Sequence, residues 1–324
     1  MITADMDDVV IIKPILKWVG GKTQIIGDIM RTFPTEMEDY HEPFVGGGSV
    51  LLSLLSYRRA GKIVVKGTIY ASDLNDKLVS MYENIRTNCG AVIRELQGMA
   101  DEFSACKGPL VNRKPKTIEE AKTSQESYYY WVRSVYNKMT TEEHWTVKGT
   151  AMLIFLNKTC FRGVYREGPN GFNVPFGHYK NPKIFDSEHL ETVSELVQGV
   201  VFARAAFADS LSGIRPGSFA YLDPPYAPAN TTSFVGYTED GFDEKNHKHL
   251  FKMCDDLARD GVSLVMSNAD VPLVRTNFPE DRYSTTVISC RRAINSKNPA
   301  SRANEVIVRS LATAPVAAVV NPSI

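Results

Sequence analysis

Ser218-Phe219-Ala220-Tyr221-Leu222-Asp223-Pro224-Pro225-Tyr226 decides the fold. A short apolar run bounded by proline predicts a buried strand, and the two prolines stop it, because neither a helix nor a central strand tolerates the lost N–H groups. Asp223 therefore stands at the carboxyl end of the strand. Pro224 and Pro225 fix the backbone and remove its donors, leaving the Asp223 side chain and the carbonyls as acceptors. Such a set suits an amino group held through both of its hydrogens, and Tyr226 offers a face for a planar base. A plain proline turn is the bland alternative. An acid, two prolines and an aromatic together at a strand end weigh against it.

Outward from this segment, short β-like runs alternate with helical ones. Upstream, Val200-Val201-Phe202 precedes Asp209. Earlier still, Ile63-Val64-Val65 and Thr68-Ile69-Tyr70-Ala71 lead to Asp73 and a helix over 77–86. Downstream come a polar helix over 247–259 and strands over 263–266 and 305–308. Strands separated by helices predict an α/β sheet of mainly parallel order. The middle differs: residues 84–156 carry a helical pattern around Tyr128-Tyr129-Tyr130-Trp131, and 161–180 are dense in Gly, Pro and aromatics, as a long hairpin or loop would be. This predicts a second, helical unit inserted into the sheet, with tails at about 1–12 and 312–324.

Ligands of open parallel sheets sit beyond the carboxyl ends of the strands. Glu42-Pro43-Phe44-Val45-Gly46-Gly47-Gly48-Ser49, followed by an apolar helix over 50–55, lets the backbone approach a ligand with a helix N-terminus behind it. Asp73, at a strand end, suits ribose hydroxyls and reads equally as the cap of the following helix. Gly20-Gly21-Lys22-Thr23 resembles the end of a phosphate-binding loop, but that pattern needs glycine where this chain has Leu16. Nucleotide hydrolysis is excluded on that ground.

The 324 residues carry 37 basic and 37 acidic side chains. This neutral total weighs slightly against a nucleic-acid partner. Two loop-like segments nevertheless concentrate positive charge: Lys158, Arg162, Arg166, Lys180 and Lys183 face a lone Glu167, and Arg291, Arg292, Lys297, Arg302 and Arg309 a lone Glu305. Each reads as a solvated loop or as a phosphate footprint. Five scattered cysteines with no C-x-x-C pair predict a reducing compartment without disulfides or a metal site. With no apolar run near the ~20 residues that span a bilayer and no leader pattern, a cytoplasmic protein without membrane contact is expected.

Taken together, these residues resemble the Dam-like, D12-class family of N6-adenine DNA methyltransferases, over roughly residues 13–309 and in the family's order. The resemblance implies a Rossmann-like methyltransferase sheet at 10–83 and 190–312, S-adenosyl-L-methionine as cofactor, and an inserted helical target-recognition domain with a β-hairpin at 84–189. Residues 1–9 and 313–324 would be tails. Lys17-Trp18-Val19-Gly20-Gly21-Lys22 looks like the N-terminal cofactor motif and Phe44 to Gly48 like the glycine motif; Asp73 matches the ribose-binding acid. Phe207-Ala208-Asp209 looks like the motif whose acid meets the cofactor's adenine. Cofactor contacts are thus expected from Trp18, Lys22, Phe44, Gly46, Asp73 and Asp209, and catalysis from Asp223, Pro224 and Tyr226.

Phe172-Asn173-Val174-Pro175-Phe176-Gly177 looks like the end of the family's DNA-reading hairpin. Arg166 aligns with the arginine that contacts a guanine, and Val164 replaces a neighbouring apolar residue. Arg162 stands where close family members carry asparagine. With Asn173, these residues imply contacts to a short palindrome in double-stranded DNA, GATC favoured and CATG compatible. Arg291 and Arg292 suit phosphates. The resemblance further implies a base flipped from the helix, a monomer in solution and a companion restriction endonuclease as a possible partner.

A C5-cytosine enzyme would need a nucleophilic cysteine after proline, and no cysteine here follows one. N4-cytosine transfer usually places serine where Asp223 stands. RNA adenine methylation and a catalytically silent DNA-binding homologue complete the alternatives.

Overall fold

The computed structural model describes residues 8–228, 242–291 and 302–311. Among them, seven strands form one sheet: β1 (Tyr40–Glu42), β2 (Ile69–Asp73), β3 (Val200–Arg204), β4 (Phe219–Leu222), β5 (Ser263–Ala269), β6 (Tyr283–Arg291) and β7 (Arg302–Ser310). Their spatial order is 3-2-1-4-5-7-6, and only β7 runs against its neighbours. This is the Rossmann-like arrangement expected of a methyltransferase sheet.

The decisive segment behaves as its sequence dictates. All four residues of β4 are buried, because the strand lies between β1 and β5 with both faces covered; hence the unbroken apolar run. Strand order reverses between β1 and β4, where Tyr40 pairs with Phe219 and His41 with Ala220. Their carboxyl ends open the crevice in which such sheets bind ligands.

The elements after each strand set this crevice. Beyond β1, the glycine turn feeds α1 (Ser49–Arg59), whose Val50 to Leu55 are buried. After β2, Asn75 caps α2 (Asp76–Ala105) by accepting from the amides of Lys77 and Leu78. The middle third is helical, with α3 (Gln125–Tyr136), α4 (Val147–Thr159) and α5 (Ser187–Leu196). Helix α4 is apolar nearly all round because α2 and α3 both pack on it. The long hairpin or loop expected over 161–180 is mostly loop around a minimal hairpin, in which Glu167–Gly168 pairs with Gly171–Phe172 across a two-residue turn. Helix α6 (Glu244–Arg259) follows β4, capped by Asp243.

One core runs unbroken from Ile15 and Leu16 through α1, α2, α3 and α4 to Ile307 of β7. Val9, Ile11 and Ile12 pack partly against it. A second core, around Leu250, Phe251, Leu264 and Val306, lies under α6. Among the described residues no helix is long and apolar enough to cross a membrane.

Candidate active site

At the crevice, the ends of β1, β2 and β4 converge with the segment before α1. Lys22 reaches across to Asp223: its Nζ lies 2.6 Å from Asp223 Oδ2 and 2.6 Å from the Gly20 carbonyl. The Lys22 amide is held by Ser49 Oγ at 3.1 Å. With side chains only 5% and 19% exposed, this is a largely buried ion pair. Burial raises the Asp223 carboxyl above its usual range, Lys22 pulls it back, and Glu305 adds to the rise. Asp223 Oδ1 is buried and accepts no hydrogen bond among the described residues. An acceptor withdrawn from water and left unused costs free energy unless a ligand supplies the donor.

The turn that carries Asp223 is fixed from both sides. The buried His247 ring lies 3.0 Å from the Pro225 carbonyl and 2.8 Å from that of Asp243. Asn268 of β5 accepts from the Ala227 amide at 2.9 Å. No described donor reaches the Pro224 carbonyl. Tyr226 donates to Glu305 Oε2 at 2.7 Å, and Lys22 Nζ sits 5.0 Å from its ring centroid. Neither His247, Asn268 nor Glu305 was found from the sequence; His247 and Glu305 hold the tetrapeptide itself and Asn268 the residue after it, each from another element.

Gly46 and Gly48 adopt φ of +49° and +75°, where a side chain would be strained. A Cβ on Gly47 would lie 2.7 Å from the Trp18 side chain, and one on Gly48 would strike Tyr82. Asp73 accepts from the Gly46 amide through one oxygen and from the Asn75 amide through the other, both at 2.9 Å. It thus ties the glycine turn to the end of β2 and steadies the backbone of Asn75, which, and not Asp73, is the cap of the next helix. Phe44 stacks on Phe207 with centroids 5.8 Å apart. Asp209 follows on the short helix Phe207–Ser210, exposed and without a side-chain partner among the described residues.

Glu42 was passed over, although it closes β1 beside these groups. It is buried, accepts from the Tyr40 hydroxyl at 2.6 Å, and is pushed up to about 8, chiefly by burial. The folded protein therefore holds a proton that the unfolded chain releases near 4.5. This contribution to stability is complete below the unfolded value and is lost as pH rises through about 8. A Glu42→Gln variant is expected to flatten the decline of the thermal midpoint between mildly acidic and mildly alkaline pH. Parallel slopes for variant and parent would contradict the assignment.

Arg162, Val164, Arg166 and Asn173, four of the residues expected to meet DNA, lie on the turn and small hairpin after α4. Arg166 Nε donates to Asn173 Oδ1 at 2.6 Å, and the Asn173 amide to the Arg166 carbonyl at 3.1 Å. Asn137 brackets Phe172 with two hydrogen bonds, and Lys77 pairs with Glu167 at 2.8 Å, so the hairpin is fastened to α2 and α3. Val164 is half-buried, and Phe161 is 48% exposed. Asn157 of α4 holds both the Lys17 backbone and the Gly163 carbonyl. Trp18 stacks on Tyr165 at 4.7 Å. Arg291 ends β6 with its side chain outside the described residues, and Arg292 lies outside them altogether.

Arg162 adopts φ +59°. Asparagine enters that left-handed region more cheaply than other non-glycine side chains, a physical reason for the asparagine that the resemblance implies there. Arg162→Asn is expected to raise stability by about 0.5–1 kcal/mol, read as a higher denaturant midpoint at unchanged slope. A lower midpoint would show that the arginine itself anchors the turn.

The D12 class N6 adenine-specific DNA methyltransferase family matches residues 18–294. The chain belongs to that family. It is 38% identical over 265 residues to the Type II methyltransferase M.MjaIII of Methanocaldococcus jannaschii, covering 80% of this chain and 84% of that protein. It is 30% identical over 283 residues to the DNA adenine methylase of Escherichia coli K12, covering 87% and 88%. The corresponding enzyme of Vibrio cholerae is 30% identical over 290 residues, covering 89% and 91%. As a D12-class enzyme the chain is an adenine-specific DNA methyltransferase and binds DNA.

Proposed function

We propose that this D12-class enzyme transfers a methyl group from S-adenosyl-L-methionine to N6 of an adenine flipped out of a short double-stranded palindrome, GATC favoured and CATG compatible. The observation that carries the proposal is the buried, unused Asp223 Oδ1 beside the Pro224 carbonyl. An exocyclic amino group is the ligand that would satisfy both acceptors.

The residues present fit the cofactor. Side chains on the glycine turn would fill the space against Trp18, and Asp73 keeps acceptor capacity for hydroxyls on the oxygens that hold the amides. Trp18, Lys22, Phe44, Gly46, Asp73 and Asp209 would hold it, and when bound it supplies an electrophilic methyl group. The adenine amino nitrogen is a poor nucleophile because its lone pair is delocalised into the ring. Accepting both N6 hydrogens at Asp223 and Pro224 would turn that lone pair toward the methyl. Direct in-line transfer would then rest on positioning and electrostatics, with the Asp223 charge beside the nitrogen as it becomes positive. Tyr226 would stack on the flipped base, whose amino group is out of reach inside a duplex.

Residues 84–189 serve in this reading as the target-recognition unit. With Asn173 holding Nε, the two terminal nitrogens of Arg166 remain for a bidentate guanine contact, worth ~1–3 kcal/mol of discrimination. Val164 would meet a neighbouring base, and Arg162, Arg291 and Arg292 would meet phosphates. The Type II designation of the relative from Methanocaldococcus jannaschii supports a companion restriction endonuclease. We read the protein as a cytoplasmic monomer.

The test is to incubate the protein with unmethylated genomic DNA and S-adenosylmethionine and to map modified bases by single-molecule sequencing. N6-methyladenine confined to one short palindrome is expected. Methylated cytosine, or no modified base despite cofactor binding, would overturn the reading.

A further inference from the structure

Glu305 lies in β7, the one antiparallel strand between β5 and β6, where Ala269 and Ile288 are its partners. The side chain is half-buried and accepts from the Tyr226 hydroxyl at 2.7 Å. Tyr226 follows β4 in sequence, so this bond joins the tetrapeptide to a strand two places away in the sheet. Lys22 stands 5.0 Å from the Tyr226 ring centroid and 2.6 Å from Asp223. Glu305, Tyr226, Lys22 and Asp223 therefore form a continuous array, and the charge of Glu305 is felt at Asp223.

We propose that Glu305 is a positioning residue for methyl transfer, acting through the Tyr226 ring. The proposal rests on the reading of Tyr226 as the surface on which the flipped adenine stacks. A tyrosine ring on a turn is free to rotate about two side-chain bonds. A hydroxyl bonded to a carboxylate on a rigid strand loses that freedom before the base arrives, so the base need not order the ring. The same bond occupies the phenolic proton, which makes Tyr226 a platform and not a proton donor to the base.

The experiment measures single-turnover methylation of a duplex by Glu305→Ala, Tyr226→Phe and the double variant, with duplex affinity and thermal midpoint measured alongside. Each single variant is expected to slow transfer about tenfold, since each removes the same charge-assisted bond, with little change in duplex affinity. The double variant is expected to be no slower than either single one. Glu305→Gln, whose carbonyl accepts the hydroxyl, restores most of the rate. Multiplying effects in the double variant, or a normal rate for Tyr226→Phe, would overturn the proposal, and the Tyr226→Phe result stands even where Glu305→Ala fails to fold. Tyr226→Ala separates the two layers: a normal rate for it removes the platform reading itself, whereas a slow Tyr226→Ala with a normal Tyr226→Phe removes only the part assigned to Glu305.

Discussion

Asparagine at position 223 is expected to slow methyl transfer by about a thousandfold or more while leaving cofactor and DNA binding largely intact. The substitution keeps the side chain's shape and one acceptor, so the turn held by His247 and Asn268 should persist. It removes the negative charge beside the nitrogen that becomes positive, and it leaves Lys22 buried against a neutral amide. Losing one preorganised electrostatic contact at a reacting centre typically costs ~10²–10³ in rate. Here the charge is lost together with its partner's compensation, which sets the expectation at the upper end. Single-turnover kinetics with labelled cofactor would measure it, and a rate within tenfold of the parent would remove Asp223 from the chemistry.

Lys22→Met carries the second large effect. Burial already raises the Asp223 carboxyl, and Lys22 is the principal opposing influence. Without it the carboxyl rises further, so its oxygen stays protonated to higher pH and can donate where it should accept. Activity is expected to fall about a hundredfold and to recover as pH rises, the acidic limb of the rate profile moving to higher pH. Stability should follow the same titration with the opposite consequence. The folded-state pKa is raised above the unfolded one, so stability is retained at low pH and lost as pH rises through the folded value. At alkaline pH the unpaired carboxylate should cost about 3–5 kcal/mol. An unshifted rate profile would mean that Lys22 serves the cofactor alone.

The parts of this protein legible in its sequence are those in which a local pattern carries the physics. Phe219 to Leu222 announce a central strand because both faces must be apolar, and Asp223-Pro224-Pro225-Tyr226 announces acceptors because proline removes donors. The glycine turn is legible because only glycine takes its backbone conformation beside Trp18. What stayed hidden depends on pairing across the chain. Lys22 finds Asp223 over 201 positions, and Tyr226 finds Glu305 over 79, and no spacing rule links either pair. Glu305 looked like the lone acid of a basic loop because its place beside Ala269 is a matter of strand register. Strand β6 was missed outright, although Thr285-Thr286-Val287-Ile288 carries β-branched residues; at a sheet edge its polar, partly exposed character blurs the alternation that would mark it.

The unbroken core beneath α2, α3 and α4 bears on how such enzymes can diversify. Val92, Leu96, Phe103, Tyr129 and Phe155 belong to the same apolar mass as Leu51, Ile69 and Val265. A fragment cut out at residues 84 and 189 would present that seam to water, so it should not be transplantable as an independently folding cassette. If the small hairpin and its flanking turn read the DNA as proposed, new sequence specificity has to be acquired by changes there, in place, against an interior that cannot be exchanged piecemeal. In that reading the evolutionary unit is the few exposed residues between Phe161 and Asn173, and the helices that carry them are inherited with the sheet.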